Sequence, residues 1–223
     1  GANVPFGGVQ VGPTNFNKGW DWSSSYHHTD SIVKGFCHIN VSGTGMSDLG
    51  ELTIMPATGK LMTGAGTQNN HMAGYSSLYY KDKEHASVGY YKVHLERYDI
   101  DVELTATERV GLHKYRFPKS DQSRVIIDLG EGSADRPTET YLKKINDTLF
   151  QGHRFSTGWA RDQREYFSLI ISKPVDDFIL YDRHKKFKGE ERKGDYVKGF
   201  LEFSTKSNEN IMVKMGISTV SSK

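Results

Sequence analysis

Apolar and polar residues alternate with a period of two along most of the chain. The segments Val9-Gln10-Val11, Tyr91-Lys92-Val93-His94-Leu95, Ile100-Asp101-Val102-Glu103-Leu104 and Ile211-Met212-Val213-Lys214-Met215-Gly216-Ile217 each send one set of side chains to a core and the other to water. Phe200-Leu201-Glu202-Phe203 follows the pattern imperfectly, and the short runs Val125-Ile126-Ile127 and Leu169-Ile170-Ile171 suit central strands. Turn formers separate these segments at Gly111 and at residues 118–123, 130–133, 174–177, 189–194 and 207–209. From about Gly89 onward the spacing predicts roughly eight or nine strands at hairpin intervals, as in a sandwich or barrel. Residues 138–144 suit either a helical turn or another strand, and the strand is preferred. The first eighty or so residues differ: they are rich in Gly, Ser, Thr, Asn and His, with strands interrupted by long loops of the kind that usually carry function. No helical stripe, fixed-period repeat or internal linker is evident, so residues 1–223 are read as one domain.

Composition narrows the picture. A net charge of +2 excludes a long-range nucleic-acid magnet. The local basic stretch Arg183, His184, Lys185, Lys186 and Lys188 reads as a solvated loop or hairpin tip. Cys37 is the only cysteine, which excludes an intrachain disulfide and leaves the compartment open. No apolar run is long enough to span a bilayer. No secretory leader is visible, but the chain begins without Met, so an upstream leader stays open. Aromatics are plentiful, with Tyr 12, Phe 11 and Trp 3.

Candidate chemistry concentrates in two segments. Gly19-Trp20-Asp21-Trp22-Ser23-Ser24-Ser25-Tyr26-His27-His28-Thr29-Asp30 combines flat apolar rings with planar polar groups, the pairing that sugar recognition needs. In a strand Trp20 and Trp22 would share a face, as core residues or as a two-ring platform. The second segment is Lys34-Gly35-Phe36-Cys37-His38-Ile39-Asn40 leading into Ser42-Gly43-Thr44-Gly45, which lacks the Lys-Ser/Thr of a phosphate loop. Its glycines either admit a ligand close to the backbone or turn a corner. His38 and Asn40 would share a strand face, either toward a ligand or as an internal hydrogen-bonded pair. Strand geometry would point His27 and His28 apart, and no zinc-type spacing is present. Cys37 reads as a small buried hydrophobe. No Gly-x-Ser-x-Gly elbow occurs, and no carboxylates among Asp48, Glu51, Asp99, Asp101, Glu103 and Glu108 are marked as an acid and base pair. Neither catalytic nor metal-ligating residues are therefore assigned.

Taken together, the motifs resemble the N-terminal domain of the glycoside hydrolase family 92 exo-α-mannosidases. Val4-Pro5-Phe6-Gly7-Gly8-Val9-Gln10, Gly19-Trp20-Asp21-Trp22, the Ser25–Asp30 run, Gly35-Phe36 with Ser42-Gly43-Thr44-Gly45, Gly89-Tyr90-Tyr91-Lys92-Val93, residues 103–111, His113-Lys114-Tyr115-Arg116-Phe117-Pro118, Ser156-Thr157-Gly158-Trp159-Ala160 and residues 213–218 follow in family order. The resemblance implies an all-β fold, an antiparallel β-sandwich of the mutarotase-like supersandwich type. It implies a bacterial secreted, periplasmic or cell-surface enzyme with calcium at its active site. Such an enzyme hydrolyses mannose-containing glycans, α-1,2-linked ones foremost, with inversion. The family's catalytic acid and base, and most calcium ligands, belong to a C-terminal (α/α) barrel domain, so this chain alone is expected to be inactive. Trp20 is expected to pack on substrate, with Asp21, Phe6, His38, Gly43, Thr44 and Gly45 around the terminal mannose pocket. An exposed apolar patch is expected where the barrel domain would sit. The chain departs from the family's Gly-Phe-Ser-His-Thr-His at Cys37, Ile39 and Asn40, and Ser25 stands where Gly is usual. The competing reading is a stand-alone carbohydrate-binding sandwich without catalysis.

Overall fold

Alternation along the strands becomes two packed antiparallel sheets. The computed structural model describes residues 2–22, 24–40, 49–132 and 135–222, with side chains 49–51 excepted. Among these, one sheet has seven strands in the order Gly12–Thr14, Gly35–Cys37, Thr53–Thr58, Ser120–Asp128, Val197–Thr205, Asp177–Asp182, Lys185–Phe187. The other has nine, in the order Glu191–Gly194, Arg136–Lys144, Leu149–Thr157, Gln163–Ile171, Glu209–Ser218, Val110–Phe117, Ile100–Ala106, Tyr90–Leu95, His85–Ser87. Two short pairs, Ile32–Val33 with Ser77–Leu78 and Ile39–Asn40 with Leu49–Glu51, complete the ladder. The architecture is an all-β antiparallel sandwich.

The strand Ile100–Ala106 shows how the pattern works: Ile100, Val102, Leu104 and Ala106 are buried, and the residues between them face outward. Ring contacts tie the sheets together, Phe117 to Phe203 at 5.6 Å and Phe150 to Phe178 at 5.2 Å between centroids. The seven-stranded sheet is covered on both faces, which explains the continuous run at Val125, Ile126 and Ile127, all buried. Leu61, Met62 and Tyr75 from the long connection after Thr58 join the same core. The similar run at Leu169-Ile170-Ile171 has a different cause. Leu169 and Ile171 are buried but Ile170 is exposed, so this strand is one-sided. The chain holds more strands beyond Gly89 than alternation predicted, because Lys185–Phe187 and Glu191–Gly194 are too short to display a period. The basic stretch is a hairpin, with Arg183 and His184 at its tip.

Where the chain crosses from the seven-stranded to the nine-stranded sheet, six charges interlock. Lys198 pairs with Asp128 at 2.7 Å, Lys34 with Glu131 at 2.7 Å and Arg154 with Asp135 at 2.6 Å. Tyr75 Oη also donates to Asp128 Oδ2 at 2.6 Å, and Arg154 Nε to the Leu129 carbonyl at 2.9 Å. Arg154 and Asp135 are sealed from solvent, so each ion is tolerable only with its partner.

Candidate functional site

Residues 15–31 form a loop whose shape is dictated by two buried polar side chains. Asn15 accepts from the His27 N–H at 2.9 Å and donates to the Ile32 carbonyl at 2.7 Å, while its own N–H meets the Ser25 carbonyl at 2.7 Å. Asp30 collects the Trp22 indole N–H at 3.0 Å, the Lys18 ammonium at 2.9 Å and the N–H groups of Ser31 and Ile32. Burial alone would raise its carboxyl, but these donors outweigh it and hold Asp30 below its ordinary range. Gly19, at φ 127°, opens a single turn of 3₁₀ helix, Trp20–Trp22. Ser25, at φ 67°, occupies the left-handed region that glycine enters freely.

The turn separates the two tryptophans that strand geometry would have placed together. Trp22 stacks on His27 at 4.2 Å and is fixed through Asp30, whereas Trp20 is 74% exposed and Asp21 is exposed beside it. His27 and His28, expected to point apart, lie 4.9 Å apart because they sit on a turn rather than a strand. Behind the loop, Tyr26 and Tyr91 donate to Glu84 Oε1 at 3.0 and 2.7 Å, and Lys81 bridges Glu84, Tyr26 and Tyr79. Burial pushes the Tyr79 hydroxyl up to about 12.

His38 sits elsewhere than a ligand-facing position: it is in the core, fully buried, and its partner is His113 rather than Asn40. His38 Nδ1 lies 2.7 Å from the Leu52 carbonyl, so it carries the proton there; Nε2 is then an acceptor. His113 Nε2–H donates to it at 2.9 Å, and the free His113 Nδ1 accepts from Tyr115 Oη at 2.7 Å. Every group in this line is satisfied only when both rings are neutral. Burial pushes His38 down to about 4 and His113 well below its usual value, with the His38 charge adding to the latter. Gly111 makes the room, since a Cβ there would stand 2.7 Å from the His38 ring. Asn40 instead donates to Gln10 O at 3.1 Å and meets Cys37 Sγ, and Cys37 is buried. Gly43, Thr44 and Gly45 lie outside the described residues.

Phe6 belongs to a different place again. The Gly7 N–H closes a turn on the Val4 carbonyl at 3.0 Å, and Phe6 at its corner has φ 60° and a fully exposed ring. It borders a cavity of about 410 Å³ lined also by Val9, Ile39, Glu108, Arg109, Glu165 and Ser218. A second hollow of about 630 Å³, lined by Val4, Pro5, Thr107, Glu108 and Arg109, adjoins it. The strand registers put the turns at Val88, Glu108 and Trp159, together with the tail at Val220, at one end of the nine-stranded sheet. Phe6, Val88, Trp159 and Val220 are all exposed at this end, spread along the sheet edge rather than gathered in one patch. The cavity residues Glu108, Arg109, Glu165 and Ser218 come from distant segments, and no spacing in the sequence marked them. Their one signal was the Glu108-Arg109-Val110-Gly111 turn. Among the described residues, no group of three or more His, Cys, Asp or Glu is placed to hold a metal ion. Among the same residues no helix is long and apolar enough to cross a membrane.

Residues 1–218 match the profile described as the glycosyl hydrolase family 92 N-terminal domain. A family GH92 alpha-mannosidase from Bacteroides thetaiotaomicron superposes with a TM-score of 0.96 at 32% identity, over 100% of this chain and 31% of that one. The same enzyme in complex with mannoimidazole gives 0.95 at 31% identity, over 99% and 30% of the two chains. A family GH92 inverting mannosidase from Bacteroides thetaiotaomicron VPI-5482 gives 0.80 at 21% identity, over 98% and 28%, a likeness of fold alone. The chain therefore spans less than a third of the length of these relatives. No curated protein sequence matches it.

Proposed function

Because the chain belongs to glycosyl hydrolase family 92, as its N-terminal domain, we propose that it is the sandwich portion of an inverting exo-α-mannosidase that removes terminal, α-1,2-linked mannose from glycans. The observation that carries this reading is the 32% identical alpha-mannosidase that superposes on the whole chain. In the proposal the chain binds and shapes, and a C-terminal domain supplies the acid that protonates the leaving oxygen and the base that activates water. Trp20 offers its exposed ring to the apolar face of a sugar, and Asp21 accepts a hydroxyl beside it. The end of the sheet that exposes Phe6, Val88, Trp159 and Val220 packs against the C-terminal domain. Among the described residues no three or more His, Cys, Asp or Glu gather to hold a metal ion, and in this proposal the calcium is held by the C-terminal domain. Secretion or display at the bacterial surface belongs to the same proposal.

Assaying α-1,2-mannobiose with the 223-residue chain alone, and with the chain joined to the remainder of its gene product, tests the reading. Mannose release only by the joined protein, abolished by a calcium chelator and restored by added calcium, is the expected result. Hydrolysis by the chain alone would overturn it. Binding with no hydrolysis by either protein would favour the carbohydrate-binding sandwich, for which the exposed Trp20 is the supporting feature.

A further inference from the structure

The interior of the 15–31 loop is tied to later segments of the chain at Tyr26. Its hydroxyl donates to Glu84, 3.0 Å from Oε1 and 3.2 Å from Oε2, and accepts from the Lys81 ammonium at 3.0 Å. The same carboxylate accepts from Tyr91 Oη at 2.7 Å and from Lys81 Nζ at 2.7 Å. Burial raises Tyr26 and Tyr91 above the ordinary phenol range, so both hydroxyls keep their protons and donate. Tyr91 is buried on the strand Tyr90–Leu95, so Glu84 joins the loop to the nine-stranded sheet. Lys81 also lies over the rings of Tyr26 and Tyr79, 4.9 and 4.6 Å from their centroids, and donates to Tyr79 Oη at 3.2 Å. At the base of the loop Asn15 reaches that same hydroxyl at 3.4 Å, and Tyr79 N–H meets the Ser31 carbonyl at 2.9 Å.

Stability alone does not call for this network. The Glu84 side chain is only 10% exposed, and a carboxylate withdrawn from water adds little net stability even when paired. A fully satisfied polar network supplies instead a single fixed geometry. Three donor groups converge on Glu84, and an ionised carboxylate is a side chain that only accepts. The segment so fixed carries Trp20. Ser25 N–H, next to Tyr26, donates to the Trp22 carbonyl at 3.0 Å, and Trp22 N–H closes the turn on the Gly19 carbonyl at 3.0 Å. A continuous path therefore runs from the sheet through Tyr91, Glu84 and Tyr26 to the turn Trp20–Trp22. Resting on the reading that Trp20 packs on substrate, we infer that Glu84 is a positioning residue. With Lys81 and Tyr26 it holds the exposed Trp20 ring where substrate meets it, and it touches no substrate itself.

Steady-state hydrolysis of α-1,2-mannobiose by the joined protein tests this, using Trp20→Ala, Glu84→Gln, Tyr26→Phe and the double variant Glu84→Gln/Trp20→Ala. Glutamine keeps the size of Glu84 but turns one acceptor into a donor, and phenylalanine keeps the Tyr26 ring without its hydroxyl. Glu84→Gln and Tyr26→Phe should each raise KM at least about fivefold and leave kcat within about twofold, the pattern of a lost uniform binding contact. In the Trp20→Ala background Glu84→Gln should change KM less than about twofold, a coupling that general loosening of the fold does not produce. Tyr26→Phe, which leaves the carboxylate in place, carries the same test if Glu84→Gln fails to fold. In the 223-residue chain, the Trp20 emission, taken as the difference between each protein and its Trp20→Ala counterpart, should lose anisotropy in Glu84→Gln. Unchanged anisotropy, wild-type KM in Glu84→Gln and Tyr26→Phe, or an equal rise in both backgrounds overturns the positioning role and leaves the Trp20 reading standing. Wild-type KM in Trp20→Ala overturns the Trp20 reading, and the positioning role with it.

Discussion

The His38 centre and the Trp20 loop are assembled from the same kinds of side chain and end in opposite states. At His38, two imidazoles and a phenol are sealed in the core, each polar atom spent on another residue of the chain. In the loop, Trp22 donates to Asp30, Tyr26 to Glu84, and His27 Nδ1 meets the Thr29 hydroxyl, while the Trp20 ring is left in water. Residue type does not mark a ligand site. What distinguishes one is a large side chain that rigid neighbours hold in place and nothing in the chain covers.

That contrast can be broken at several points. The largest effect is expected where burial is complete. Arg154→Met removes the buried ion partner of Asp135 and should cost about 3–5 kcal/mol of stability by urea unfolding; an unchanged midpoint would show that the buried clasp is dispensable. Acid should act next. His38 binds its proton near 6.5 when unfolded and near 4 when folded, so stability is complete above pH 6.5 and falls as the pH drops toward 4, by about 3 kcal/mol. Asp30, held below its ordinary range of 3.8, gives up its share only at lower pH, so the two windows separate in a series of unfolding curves. A flat stability between pH 6.5 and 4.5 would mean that the imidazole pair is not neutral and sealed as described. Ser25→Gly should raise stability by about 1 kcal/mol, because glycine adopts the φ of 67° without strain. Smallest of all, Trp20→Ala should change stability by no more than about 0.5 kcal/mol, yet remove the response to mannosides. A large destabilisation there would make Trp20 a structural residue after all.

Much of the sandwich was legible because a period of two is a local signal, carried by each strand on its own. Short edge strands escaped it, having too few residues to show alternation. The candidate site was less legible. Trp20 and Phe6 were marked by motif, and both are exposed, but His38, placed by the same reasoning at a pocket, lies in the core. Its partner comes from a strand 75 residues away, and its position depends on Gly111 of that strand having no side chain. Glu108, Arg109 and Glu165 were not marked as a site because a cavity assembled from five separate segments has no spacing to read.

By itself the sequence determined the strand period, the all-β class and the family whose motifs it carries in order. Tertiary structure alone decided which polar and aromatic groups are spent inside the fold and which remain free to meet another molecule. The physical reason is that alternation depends on neighbours two residues apart, whereas burial and hydrogen-bond satisfaction depend on partners that only folding brings together.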